Sequence, residues 1–160
     1  MQISKHFKLS EFIKSQVGTR NGIKNMPGAG EIKNLGNVAY EILEPVRAKF
    51  EKPVMINSGF RCLELNRKIG SSDSSQHCKG MACDFEIIGT PNIQVAYWIQ
   101  NNCDFDQLIL EFYKPDENNA GWIHASFNEG NNRKQVLTFD GKSYSNGLPD
   151  MDWENGKVKA

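Results

Sequence analysis

Three residues of types that bind metal ions occur in two short segments of the chain. His77 precedes Asp84 by seven positions in the segment SSQHCKGMACDFEI, residues 74–87. A second histidine, His124, lies in the segment GWIHASF. Catalytic zinc sites usually take three protein ligands from His, Asp and Glu and leave one position for water. His77, Asp84 and His124 therefore form a candidate set of zinc ligands.

Alternation of polar and apolar side chains places Asp84 and His124 on the polar faces of two predicted strands. Residues 81–88 alternate as a β-strand does, with apolar side chains on one face and Asp84 on the other. His124 shares its face with Trp122 and Ser126. Taken alone, a strand histidine is more often a hydrogen-bonded structural residue, and an aspartate more often ends a turn or strand. The spacing of His77 and Asp84 and the shared polar faces of the two strands favour a metal site as the alternative to these structural roles.

Glu111 could supply a carboxylate beside such a metal. It lies in FDQLILEFY, a predicted strand that the polar loop KPDENNA, residues 114–120, joins to the strand of His124. If this hairpin closes symmetrically about the loop, Glu111 lies directly opposite His124 on the same face. A carboxylate there suits a general base acting on a metal-bound water. A shift of one residue in register would turn Glu111 to the other face, where it would be a solvated strand residue.

The cysteines show no pattern of a metal or redox site. None of their spacings gives the C-x-x-C pair of a structural zinc site or a thiol redox protein. An even number permits two disulfides, but a domain of this size does not need them. Sulfur ligation ranks below the His-Asp-His set. We therefore expect free, partly buried thiols at all four positions: Cys62, Cys78, Cys83 and Cys103.

Composition points to a globular chain without a strong electrostatic preference. The 160 residues include 19 Lys and Arg and 19 Asp and Glu, so the formal net charge is zero. This balance favours neither nucleic acid nor an anionic membrane as a partner. No apolar run approaches the length of a transmembrane helix, and the N-terminal segment lacks the apolar core of a secretory signal.

The predicted elements indicate a single α+β domain over residues 1–160, with helices flanking a mostly antiparallel sheet. The clearest helix is 31–50, whose apolar residues keep steps of three and four; Pro45 is expected to end or kink it. The other predicted helices are 9–15, 63–69 and 91–102. The predicted strands are 54–57, 81–88, 106–113, 121–127 and 136–139. Residues 140–160 stay unassigned, with Trp153 as a candidate packing anchor.

The fuller pattern resembles a known enzyme family. Ser75, His77, Gly80, Ala82 and Asp84 match S-x-H-x-x-G-x-A-x-D, which is similar to the signature of zinc D-alanyl-D-alanine carboxypeptidases and their phage endolysin relatives. The segment INSGFR, residues 56–61, resembles the S-G-[YF]-R element of that family. FDQLILE and GWIHASF resemble its last two site strands, and KLSEF and TRNGI resemble N-terminal elements of a small peptidase branch. The likeness covers about residues 5–139.

The resemblance implies a Hedgehog/DD-peptidase-like fold and a role for each matching residue. One zinc ion would be held by His77, Asp84 and His124, with Glu111 as general base. Arg61 would stabilise the developing oxyanion or grip a substrate carbonyl or carboxylate. The remaining positions expected to contact substrate or support the site are Ser75, Gln76, Trp122 and Ser126.

One position departs from the pattern. Many relatives carry an acid three residues before the last histidine, where this chain has Gly121. Either Glu111 supplies the base from the neighbouring strand, or the chain lacks one. The same Gly-Trp-x-His pattern in the small peptidase branch favours Glu111.

The resemblance implies a monomeric zinc peptidase acting on peptidoglycan stem peptides, either as a carboxypeptidase or as an endopeptidase. A phage lysis protein or a small bacterial enzyme would be made in the cytoplasm and act on the cell wall. The alternative is a non-catalytic, zinc-stabilised module that binds wall peptide or protein, as the Hedgehog signalling domain keeps a zinc site while serving in recognition. The position of Glu111 distinguishes the two.

Overall fold

A six-stranded sheet forms the centre of the protein. The computed structural model describes residues 1–154 and 157–158. The strands are β1 (Met55–Ser58), β2 (Ala82–Glu86), β3 (Gln107–Glu111), β4 (Trp122–Ser126), β5 (Gln135–Phe139) and β6 (Tyr144–Asn146). They lie in the order β1-β2-β4-β3-β5-β6, and every neighbouring pair is antiparallel except β3 and β5. The predicted α+β class with a mostly antiparallel sheet is confirmed.

Short helices surround this sheet. They are α1 (Leu9–Ile13), α2 (Gln16–Arg20), α3 (Ala29–Val38), α4 (Glu44–Phe50), α5 (Leu63–Lys68) and α6 (Asn92–Asn102). A 3₁₀ turn, Gln76–Lys79, precedes β2, and a two-stranded ribbon of β7 (Met151–Asp152) and β8 (Lys157–Val158) follows the sheet. Among the helices described, none is long and apolar enough to span a bilayer.

The helix predicted over 31–50 continues past Pro45. A π-helical turn, Ala39–Leu43, joins α3 to α4, and Pro45 lies in the first turn of α4. Proline lacks a backbone N–H, and in a regular α-helix its ring collides with the carbonyl four residues earlier. The wider turn lets the helix continue through Pro45.

The core fills the space between the helices and one face of the sheet. Phe12, Leu35 and Ile42 from the helices pack in one buried cluster with sheet residues such as Phe85 and Ile123. Burying a side chain of this size stabilises a fold by about 1.5–3 kcal/mol. Because strand side chains alternate, the polar residues of the same strands lie together on the opposite face.

The hairpin register differs from the predicted one by two residues. Ile109 lies opposite His124, and Glu111 lies opposite Trp122. The predicted direct pairing of Glu111 with His124 is therefore wrong, although Glu111 keeps the same face because strand side chains repeat every second residue. The physical reason is that β3 ends at Glu111: Phe112 and Gly121 have left-handed backbones, with φ of 51° and 68°, so the connecting loop is longer than 114–120.

The segment 140–160 adds an edge to the sheet in the part that the structure describes. β6 pairs with β5 and brings Tyr144 opposite Phe139, where the two rings stack with centroids 4.5 Å apart. Trp153 contacts Tyr97 edge to face at 5.0 Å, as expected of a packing anchor, but over half of its side chain stays exposed. Residues 155–156 and 159–160 lie outside the described residues.

Candidate active site

Three side chains of types that can bind a metal meet on the polar face of the sheet. His77 comes from the 3₁₀ turn, whereas Asp84 and His124 lie opposite each other on β2 and β4. Asp84 Oδ1 is 2.9 Å from His124 Nδ1 and 3.3 Å from His77 Nε2, and the two ring nitrogens are 3.3 Å apart. The predicted ligand set thus converges on one point.

Local geometry fixes the turn that carries His77. The Ser75 side chain accepts a hydrogen bond from the His77 backbone N–H, and the Arg61 N–H donates to the His77 carbonyl. Gly80 closes the turn with a left-handed φ of 67° against the backbone of α3, where a Cβ would overlap the carbonyl oxygen of Glu31. Only glycine suits both the conformation and the close approach.

The tautomer of His77 follows from one backbone contact. His77 Nδ1 lies 2.7 Å from the carbonyl oxygen of Gly59, which can only accept, so Nδ1 carries the proton. Burial lowers the pKa of His77 and keeps the ring neutral. Its Nε2 therefore presents a lone pair to the cluster, as a metal-binding histidine with a hydrogen-bonded second nitrogen does.

Asp84 is ionised. Burial favours its protonated form, but the pKa lies well below its usual range because the His124 ring, hydrogen-bonded through Nδ1, stabilises the carboxylate.

These donors fit a zinc ion. The His77 lone pair faces an anionic oxygen 3.3 Å away, and a cation between the two would turn this repulsion into attraction. Bonds of about 2.0–2.2 Å to a tetrahedral zinc ion leave ligand atoms roughly 3.3–3.6 Å apart. Two of the three separations, at 3.3 Å, match that spacing and the third is 2.9 Å. All candidate ligand atoms lie within 4.8 Å of one another.

Glu111 lies one strand further along the same face. The pairing that sets it opposite Trp122 leaves it diagonal to His124. Burial raises the pKa of Glu111, His124 opposes the shift, and the Asp84 charge adds to it. A carboxyl group with this raised pKa is better matched to proton transfer near neutral pH.

Arg61 lies at the other side of the cluster. Its guanidinium donates to Asn66 Oδ1 at 3.0 Å, to Ser58 Oγ at 2.9 Å and to Ser75 Oγ at 3.5 Å, and Nη1 is 3.9 Å from Asp84 Oδ2. Burial lowers the pKa of Arg61, while the Asp84 charge opposes that shift.

Three supporting residues escaped the sequence analysis. Asn66 is fully buried and orients Arg61. Asn25, between α2 and α3, donates to the carbonyl of Phe60 and accepts from the N–H of Cys62, so it holds the chain on both sides of Arg61. Gly59 supplies the carbonyl for His77. Only Gly59 carried a signal, as part of the S-G-[YF]-R element.

The remaining predicted residues either line a groove or hold neighbouring elements in place. Gln76 donates to Asp106 Oδ2 at 2.8 Å and lines a groove beside His124. Trp122 is half-buried and packs against Phe112, with ring centroids 5.0 Å apart. Ser126 is fully buried, and its hydroxyl accepts from the Gln107 N–H, so it can act only by supporting the strands.

The groove beside His124 has a volume of about 630 Å³. It crosses β4, β3 and β5 and reaches Tyr144 on β6, with Ile109 and Leu137 in its floor. Arg133 on its wall is paired with Asp106, with Nη2 and Oδ2 2.8 Å apart. The groove therefore runs from His124 across the strands to the edge of the sheet.

The cysteines stand apart from the cluster. All four are free. Cys83 is buried in the core, as its strand parity predicts, and Cys78 lies in the 3₁₀ turn. Burial raises the pKa of both thiols, which favours the neutral form over a thiolate ligand.

One comparison with known proteins identifies a family. A family model described as Peptidase M15 matches residues 5–125, a range that contains His77, Asp84, Glu111 and His124. β5, β6 and Tyr144 lie beyond the match. No curated protein matches the chain.

Proposed function

The chain belongs to the Peptidase M15 family of zinc peptidases, and from this premise we propose that it hydrolyses the peptide stems of bacterial peptidoglycan. The observation that carries the proposal is the convergence of His77 Nε2, Asp84 Oδ1 and His124 Nδ1 on a face that also bears Glu111.

Each residue has a chemical task in this proposal. His77, Asp84 and His124 would hold one zinc ion, which supplies a Lewis acid that polarises a carbonyl and makes hydroxide available near neutral pH. Glu111 accepts the proton of the attacking water on its carboxylate and passes it to the leaving amine. The guanidinium of Arg61, held by Ser58 and Asn66, donates its remaining N–H groups to the carbonyl oxygen as negative charge develops there.

The wall-peptide substrate rests on the likeness to D-alanyl-D-alanine carboxypeptidases and endolysins, and the long groove beside His124 supports a peptide ligand. The bond that is cut lies either at a terminal D-alanine or within the stem. We propose a monomer that acts on the cell wall after release or delivery by a phage or a small bacterial system.

The test is hydrolysis of defined stem peptides followed by mass spectrometry. Three samples are compared: zinc-loaded protein, protein treated with chelator, and chelated protein given zinc again. We expect cleavage in the first and third only, and the fragment masses name the bond. If a folded, zinc-loaded protein cleaves no wall peptide, the enzyme proposal fails and a zinc-stabilised binding module remains.

A further inference from the structure

A second groove opens on the side of Arg61 away from the first. It has a volume of about 720 Å³ and lies between α2 and the outer strand β1. Its apolar lining includes Val17, Met55 and Ile69, which are partly exposed although they are large and hydrophobic. Exposed apolar side chains grouped in a concave surface are typical of a ligand-binding site.

The charged residues that line this groove all have the same sign. Three of its lining residues are cationic, Lys14, Arg20 and Arg61, and none is acidic. Lys14 and Arg20 are exposed, and neither forms an ion pair with any residue that the structure describes. Glu86 on β2 accepts a hydrogen bond from the lining residue Asn57 but does not itself line the groove.

The groove adjoins the proposed catalytic centre. Ser58 lines it and lies opposite Asp84 in the β1–β2 pairing. Arg61 also lines it and approaches Asp84 to 3.9 Å. The metal-binding cluster therefore lies between two grooves, and they differ in charge: on the Tyr144 side the cation Arg133 is neutralised by Asp106.

We propose that the groove between α2 and β1, here called the basic groove, is the subsite for a carboxylate-bearing part of the peptide substrate. Lys14 and Arg20 pair with that carboxylate while the apolar lining contacts the adjoining peptide. The inference rests on the proposed function, because it assigns a direction to a peptide at the same site. The part of the peptide that carries this carboxylate enters the basic groove, and the part on the other side of the cut bond extends towards Tyr144.

The experiment compares two synthetic stem peptides that differ only in one non-terminal carboxylate, free in one and amidated in the other. Their binding is measured by calorimetry to zinc-loaded protein carrying Glu111→Gln, which keeps the proposed ligands but slows turnover. Exposed ion pairs contribute about 0.2–1 kcal/mol each, so the two pairs together should tighten binding of the free carboxylate by roughly 2- to 30-fold. The preference should fade in about 1 M salt, where the screening length is about 3 Å.

Two matched double variants distinguish an effect of the charges in the groove from an effect of the protein's net charge. Adding Lys14→Gln and Arg20→Gln should make the two peptides bind equally, whereas adding Lys5→Gln and Lys24→Gln, which removes two exposed charges outside the groove, should keep the preference. A preference that survives in the first variant, or is lost in the second, overturns the proposal. If the wild type cleaves neither peptide while the preference follows Lys14 and Arg20, the proposed function fails and the basic groove stands.

Discussion

Glu111 combines partial burial with an anionic neighbour. The loss of water around its carboxyl group and the charge of Asp84 both raise its pKa. A general base works best when its pKa approaches the pH of the reaction, so an environment that is unfavourable for an isolated carboxylate is useful for catalysis. The proposed role makes two predictions for this residue.

Replacement of Glu111 by Gln should remove the base while leaving the zinc ligands intact. Loss of general base catalysis typically lowers rates by about 10²–10⁴, so we expect kcat to fall by that range with one zinc still bound per chain. The measurement is steady-state hydrolysis of a stem peptide together with metal content by atomic absorption. A variant that keeps more than about a tenth of the wild-type kcat would remove Glu111 from the mechanism.

The acid limb of activity should lie above the ordinary pKa of a glutamate. The base works only when ionised, so activity is present above the pKa of Glu111 and is lost as pH falls through it. Because that pKa is raised from 4.5, the midpoint of the acid limb in kcat/KM should exceed 4.5. Zinc content is determined at each pH, so that metal release by histidine protonation is recognised. A limb at or below 4.5 with zinc retained contradicts the assignment.

The hairpin of β3 and β4 illustrates what sequence patterns can and cannot predict. Alternation correctly placed Glu111, Trp122 and His124 on one face, because side chains two positions apart in a strand point the same way. The register depended on where the strands end, and the left-handed backbone of Phe112 has no clear signal in a bulky apolar residue. The pairing was therefore wrong by two residues, a shift that preserves the face.

Gly121 should be intolerant of even a methyl group. A Cβ there would overlap the carbonyl oxygen of Glu111, at the strand end that carries the proposed base. We expect Gly121→Ala to lower both the free energy of unfolding and kcat. Gly130 is the matched control: it has a φ of 78°, but nothing lies within 4 Å of its added Cβ. Gly130→Ala should cost only about 1 kcal/mol in denaturant unfolding and leave kcat unchanged. Equal effects of the two substitutions would refute the close-contact argument.

At the scale of the whole molecule, the candidate metal site joins distant parts of the chain. His77 lies in a turn against α3, and Asp84 and His124 lie on neighbouring strands. The three candidate ligands meet only in the folded protein, so binding of zinc by them would be thermodynamically linked to folding.

Zinc should therefore raise the melting temperature. A ligand at 100 times its Kd stabilises the folded state by about 2.7 kcal/mol, which corresponds to several degrees for a domain of this size. Thermal unfolding with zinc and with chelator should show this difference in the wild type and in Glu111→Gln. His77→Ala should melt at the same temperature in both conditions. A zinc-dependent shift that persists in His77→Ala would mean that the metal binds elsewhere.

The far edge of the sheet lay beyond sequence analysis. The strand predicted over 136–139 matches β5 except for Gln135. Its parallel pairing with β3 has no signal in the sequence, because the connection between the two strands is irregular. β6 is short and polar, so its residues carry no alternation that predicts a strand. Tyr144 reaches the groove only because this strand extends the sheet, a long-range contact that local patterns do not encode.

The hydrogen bond that orients His77 has an evolutionary consequence. Its acceptor is the main-chain carbonyl of Gly59, which any amino acid would supply, so no single substitution deletes the acceptor itself. Gly59 is also confined sterically, since a Cβ would lie 2.6 Å from the carbonyl oxygen of Phe12. Inactive descendants of this protein would therefore arise most readily by exchange of a ligand or of the base. The backbone contact that orients His77 would be retained in such descendants. Catalysis could then be lost or regained by substitutions at the ligands or the base alone.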